Sequence, residues 1–223
     1  MTIRSHPSEA TLLAYAAGTL STGNSLAVAV HLQFCKKCRE PIAAWEAVAG
    51  TLLDDMPESE MADEALALAL ARVHSGERAR EPARVERLEI GGLELPRVIA
   101  AAGVRKRRWI APGIWRASIP AASRAPSETY LIRLGPNRKI PLHGHEGMET
   151  ICVMKGSFSD ASGRYGIGDF LELDETMLHE PVAGPESECI CIISSEHPPK
   201  MRGLLGWLMR IFYRRHHSSF SQS

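Results

Sequence analysis

The chain has 223 residues, and its 26 Lys and Arg are balanced by 26 Asp and Glu. That length exceeds one average domain, and the neutral balance gives no electrostatic reason to expect nucleic acid or an anionic membrane as a partner. No apolar run reaches the ~18 residues of a membrane span, and MTIRSHPSEA lacks the apolar core of a secretory leader, so a cytoplasmic protein with no transmembrane segment is expected.

Residues 1–75 read as four helices. Pro7 and Ser8 mark the first start, and Gly18 is a plausible end. Ser21 or Thr22 can cap a second helix carrying Leu26, Val28, Val30 and His31. A third follows Cys38, with Ile42, Trp45, Val48, Leu52 and Leu53 recurring at helical spacing, and stops at Asp54-Asp55-Met56-Pro57. Met61 to His74 makes the fourth, with Leu66, Leu70 and Val73 on one stripe. A unit this small has a thin core.

His31, Cys35 and Cys38 lie in HLQFCKKC, a His-x3-Cys-x2-Cys spacing. Residues three and four apart share a helix face. One imidazole and two thiolates are a ligand set that suits Zn2+ and leaves one tetrahedral position to fill. His6 is the best fourth ligand, because no other His or Cys occurs before residue 74. A structural zinc would supply the stability that the thin core lacks. The bland alternative is one buried His beside two inert thiols.

Residues 76–84 are polar and charged and read as a linker. From 85 to 198 short β-rich runs alternate with Gly, Pro and Asn, the pattern of an all-β sandwich or barrel. Residues 199–223 form an amphipathic tail, apolar and then basic from 203 onward. It suits weak membrane contact, a partner, or, most simply, intramolecular packing on the barrel. The basic run Arg105–Trp109 reads as a solvated edge. Asp160, Asp169 and Glu172 read as exposed turn or strand charges.

Within PLHGHEGMETICVMKGSF, His143 and His145 share a strand face and Glu149 follows four residues later. GDFLELDETMLHEP adds His179. Three imidazoles and a carboxylate can hold a divalent metal inside a small barrel. Cys189 and Cys191, two apart on a strand, share a face. They are either barrel core or a redox-sensitive, modulatory pair, with Cys152 as a further participant.

HGHEGMETICVMKG resembles the first cupin motif with its ligand spacing intact, and Gly168 to His179 resembles the second. Asp174, Thr176 and Ala183 stand where the second motif usually has Pro, Gly and Asn. A His…His-x3-Cys-x2-Cys helical unit joined to a cupin resembles the ChrR-type zinc anti-sigma factors, over roughly residues 5–195. The resemblance implies an α+β multidomain protein: an N-terminal four-helix zinc-binding anti-sigma domain, then an all-β cupin barrel. It implies two Zn2+ per chain, one on His6, His31, Cys35 and Cys38 and one on His143, His145, Glu149 and His179. It further implies an extracytoplasmic-function sigma factor as partner, released on singlet oxygen or organic peroxide stress through the cupin. Cys189 and Cys191 match a cysteine pair of the family. The apolar residues expected at the partner surface include Leu12, Leu13, Val28, Leu32, Leu66 and Leu70.

Two other readings compete. A cupin with three His and one Glu also suits a metal-dependent dioxygenase or isomerase, but four protein ligands favour a non-catalytic site. A DNA-binding zinc module would use Arg105–Trp109, and the neutral net charge argues against direct DNA binding.

Overall fold

The computed structural model describes residues 2–75 and 87–201. The linker expected over 76–84 lies outside these residues, as does the tail from 202 onward. The chain opens with α1 (Glu9–Ala16), α2 (Thr22–Phe34), α3 (Lys36–Asp54) and α4 (Ala65–His74). Ser8 caps α1 by accepting from Thr11 N, and Ser21 caps α2 by accepting from Asn24 N. Gly18 sits at φ +68°, past the end of α1. The fourth helix starts at Ala65 rather than near Met61.

The rest is β structure: β1 (Glu89–Ile90), β2 (Leu93–Glu94), a short α5 (Arg97–Ala102), β3 (Arg108–Ala111), β4 (Ile114–Ser118), β5 (Glu128–Leu134), β6 (His143–Gly144), β7 (Glu149–Lys155), β8 (Ser157–Asp160), β9 (Gly163–Gly166), β10 (Phe170–Leu173), β11 (Leu178–His179), β12 (Val182–Ala183), β13 (Cys189–Ser195) and β14 (Lys200–Met201). One six-stranded antiparallel sheet runs β10-β7-β13-β5-β4-β3, and two three-stranded sheets run β11-β6-β14 and β12-β8-β9. The edge position of β3 agrees with its exposed basic run. β14 pairs with β6, so barrel structure continues past residue 198, where the sequence pattern ended it.

Strand β13, CICIISS, is buried along its whole length. Ile190 and Ile192 face a core shared with α2 and α5, while Cys189, Cys191 and Ile193 face the barrel interior. A continuous apolar run instead of an alternating one is what a strand covered on both faces requires. The cover on the first face is α2, which packs on β7 and β13. Its Leu26, Ala27, Val28 and Val30 are buried, and each fully buried Val or Leu contributes about 1.5–3 kcal/mol.

The helical unit is therefore docked on the barrel through a common core that joins Leu12, Val28 and Ile42 to Trp115, Phe170 and Ile192. This corrects two expectations at the partner surface. Leu12 and Val28 are interior, buried in the core that the helices share with the barrel; Leu32 is half-buried against the same core. Leu13, Leu66 and Leu70 are exposed. Asp169 is buried and the Asp160 side chain is only 3% exposed, so neither is the surface charge expected from the sequence.

Candidate metal centres

The first centre is assembled at the break between α2 and α3. Cys35 terminates one helix and precedes the other in an extended conformation, φ −108° and ψ 103°. The chain turns there, so His31 in the last turn of α2, Cys35 at the corner and Cys38 in the first turn of α3 converge. A continuous helix would have carried Cys38 about 60° around from Cys35. His6, in the segment before α1, closes the group with Nδ1 at 3.4 Å from Cys35 Sγ and 3.3 Å from Cys38 Sγ. The four ligand atoms lie within 4.8 Å of one another.

The chemistry fits a metal. Tetrahedral bonds of about 2.3 Å to sulfur and 2.0 Å to nitrogen place neighbouring ligand atoms about 3.5 Å apart. His31 Nδ1–H donates to Gly168 O at 2.7 Å, which directs the lone pair to Nε2. That Nε2 is buried with no hydrogen-bond partner among the described residues. Burial lowers the His31 pKa and keeps the ring neutral, while burial and the Cys35 sulfur push the Cys38 thiol up to about 12. A cation bound between the sulfurs would reverse that preference.

The second centre lies inside the barrel. His143 on β6 pairs with His179 on β11 across a two-residue ladder, and Glu149 opens β7. His179 Nε2 lies 3.0 Å from His143 Nε2 and 3.3 Å from His145 Nε2. Glu149 Oε2 is 3.4 Å from His145 Nδ1, and all four residues are buried. Pro141 O accepts from His143 Nδ1–H at 2.9 Å, again leaving Nε2 to face the cluster. Burial lowers the His145 pKa to about 4 and the His179 pKa to about 3, with the neighbouring imidazoles adding to the effect. The Glu149 carboxyl, wholly buried, is raised to about 8. Neutral imidazoles beside a carboxyl that burial keeps protonated and a bound cation would ionise fit a divalent metal.

Sequence reasoning missed what supports these ligands. Asp160 Oδ2 stands 3.6 Å from His179 Nδ1, the placement of a carboxylate behind a metal-bound imidazole. Asp169 Oδ1 accepts from Arg4 N and Ser5 N, and Glu172 accepts from Ser8 N. Isolated acidic residues near turns carry no pattern that distinguishes them from surface charges. Cys189 and Cys191 are buried with their sulfurs 3.6 Å apart. Cys152 pairs with Ile192 and faces the α2 side, the opposite face of the sheet. Where the second motif's usual Pro is replaced, Asp174 Oδ1 accepts from Thr176 N at 2.8 Å and closes the turn.

Residues 99–198 match the ChrR cupin-like domain family. The chain is 35% identical over 222 residues to the anti-sigma-E factor ChrR of Cereibacter sphaeroides, an alignment covering 96% of this chain and all of that protein. The crystal structure of Rhodobacter sphaeroides SigE in complex with the anti-sigma ChrR contains a chain that superposes with a TM-score of 0.72 at 31% identity, covering 87% of this chain and 99% of that one. With both clusters assembled on a helical unit followed by a cupin-like barrel, the chain belongs to the ChrR family of anti-sigma factors.

Proposed function

We propose that this chain is a cytoplasmic zinc anti-sigma factor that sequesters an extracytoplasmic-function sigma factor, with one Zn2+ in each cluster and no catalytic step of its own. The observation that carries the reading is the apolar surface of the distal helices. Val48, Leu52, Leu53, Leu66, Leu68, Leu70 and Val73 of α3 and α4 are all exposed. Exposed apolar residues in such number mark a protein interface, and they belong to the same helical unit that the sequence assigned to the partner. Leu13 on α1 is exposed as well. The relative's structure was solved as a complex with SigE, so a sigma factor is the partner class to test.

The barrel would receive the stress signal, singlet oxygen or an organic peroxide, and act on the helical unit through their common core. The test is co-expression with a sigma factor of this class and a reporter from its promoter. The double variant Leu66→Asp, Leu70→Asp should lose both co-purification and silencing while retaining metal at both centres. A variant that still co-purifies would overturn the assignment of the surface. A wild-type chain that fails to retain the sigma factor would overturn the function.

A further inference from the structure

His31 and His6, the two imidazoles of the helical cluster, are each held by the same two-residue turn of the barrel. Gly168 O takes the His31 Nδ1–H at 2.7 Å. Asp169 Oδ1 takes Arg4 N at 2.7 Å and Ser5 N at 2.9 Å, fixing the backbone immediately before His6. Phe170 N then donates to Ser5 O at 3.0 Å, and the Phe170 ring meets the His31 ring edge-on at 5.7 Å. Asp169 is itself braced, because its Oδ2 accepts from Gly166 N at 2.7 Å.

The approach is too close for any residue but glycine at 168. Its φ is +87°, and a β-carbon there would stand 2.7 Å from Ile3 Cδ1 and 2.9 Å from Phe34 Cβ. Both the segment that delivers His6 and the end of α2 that delivers His31 and Cys35 therefore press on this turn.

We infer that Gly168 and Asp169 are positioning residues for the helical metal centre: the cupin barrel supplies the outer hydrogen-bond shell of a metal site whose four ligands all lie in the helical unit. A hydrogen bond behind a ligating imidazole fixes its tautomer and orientation, and losing such a partner typically costs about 10–100-fold in metal affinity. Asp169 acts one step further back, through the position of the chain that carries His6. The barrel thus sets the affinity of the helical centre, which rests on the reading of His6, His31, Cys35 and Cys38 as a metal site.

The experiment uses the full chain titrated with Co2+ against a competing chelator. Only the helical cluster contains thiolates, so its sulfur-to-cobalt charge-transfer band reports that centre apart from the all-His and Glu cluster of the barrel. Asp169→Ala should weaken the thiolate centre about 10-fold or more and change its band, with the barrel centre unchanged. Asp169→Asn should recover only part of the affinity, because its carboxamide oxygen can still accept from Arg4 and Ser5 while its NH2 group cannot accept from Gly166 N. Deletion of residues 2–5 leaves His6 and the barrel in place and should weaken the same centre if Asp169→Ala fails to fold. A folded Asp169→Ala chain, or failing that the deletion, with affinity within twofold of the parent would overturn the inference. Absence of a thiolate band in the parent chain would instead overturn the metal site itself.

Discussion

Gly23 approaches Thr129 so closely that a β-carbon on the glycine would lie 2.2 Å from the threonine Oγ1. Ser194 Oγ is equally near, at 2.3 Å, and the Thr129 hydroxyl is held in place by a 2.7 Å bond to Ala122 O. The first turn of α2 thus rests directly on the barrel sheet. Gly23→Ala should destabilise the protein by about 1–3 kcal/mol, the usual range for overpacking. The gain in helix propensity, at most about 1 kcal/mol, does not offset a contact this short. Chemical denaturation of the metal-loaded chain measures it, and an unchanged midpoint would show that the helix is not seated there.

Metal stoichiometry separates the two centres. The parent chain should carry two zinc ions. Cys35→Ser or Cys38→Ser should remove one and release the sigma factor; His143→Ala or Glu149→Gln should remove the other and leave sigma binding intact. Elemental analysis of each purified variant decides. Loss of both ions from one substitution, or one ion in the parent, contradicts the two-centre arrangement.

The buried thiols should be inert in the folded protein. Burial raises the Cys152 pKa, and the Cys189 sulfur together with burial raises that of Cys191, so the reactive thiolate is scarce at neutral pH. Cysteine alkylation of the metal-loaded chain should label none of these residues until denaturant is added. Cys189→Ser with Cys191→Ser should leave sigma binding intact. Rapid labelling of Cys191 in the native state would favour a directly redox-active pair.

Glu188 ties two strands together, with Arg133 Nε at 2.7 Å and Lys155 Nζ at 2.8 Å. Partial burial would raise its carboxyl pKa, but the hydrogen bonds and charges of Lys155 and Arg133 outweigh that and lower it. A lowered carboxyl pKa gives stability that is present above the ordinary value of about 4.3 and lost as pH falls through the folded-state value. Glu188→Gln should therefore cost about 1 kcal/mol near neutral pH, and its difference from the parent should close in acid. A difference that grows on acidification would show that the pair is not the cause.

A fragment ending near Arg84 contains all four helical ligands and all the exposed apolar residues of α3 and α4. It should still silence the sigma factor and fail to respond to oxidant. It also uncovers the barrel-facing side of α2, including Ala27 and Val30, and loses the Gly168 and Asp169 contacts. Its affinity for zinc should accordingly be lower than that of the full chain, and it should bind hydrophobic dyes more strongly. A reporter assay and a chelator competition on the fragment test the two halves.

Both clusters were legible in the sequence because most of each lies at short spacing, His31 to Cys38 across one helix junction and His143 to Glu149 along one strand turn, while His6 and His179 join them from farther along the chain. The helix starts at Ser8 and Ser21 were legible for the same reason, since a cap bonds only two or three residues ahead. The docking of α2 was not read, although a signal existed. Leu26, Ala27, Val28, Ala29 and Val30 together run around every side of the helix, and a helix apolar all round is buried. Asp160 and Asp169 were unreadable because their partners, His179, Arg4 and Ser5, are 19 to 165 residues away and only the fold brings them together.

The exposed leucines of α3 and α4 have a consequence for how the protein must be supplied. Unpartnered chains offer one another the same apolar surface, so molecules made in excess of the partner are prone to self-association. Production matched to the sigma factor, or held below it, would avoid that hazard. Light scattering of the isolated chain should show association that rises with concentration and disappears on adding one equivalent of partner. A monodisperse chain at high concentration would show that the leucines find shelter within the molecule.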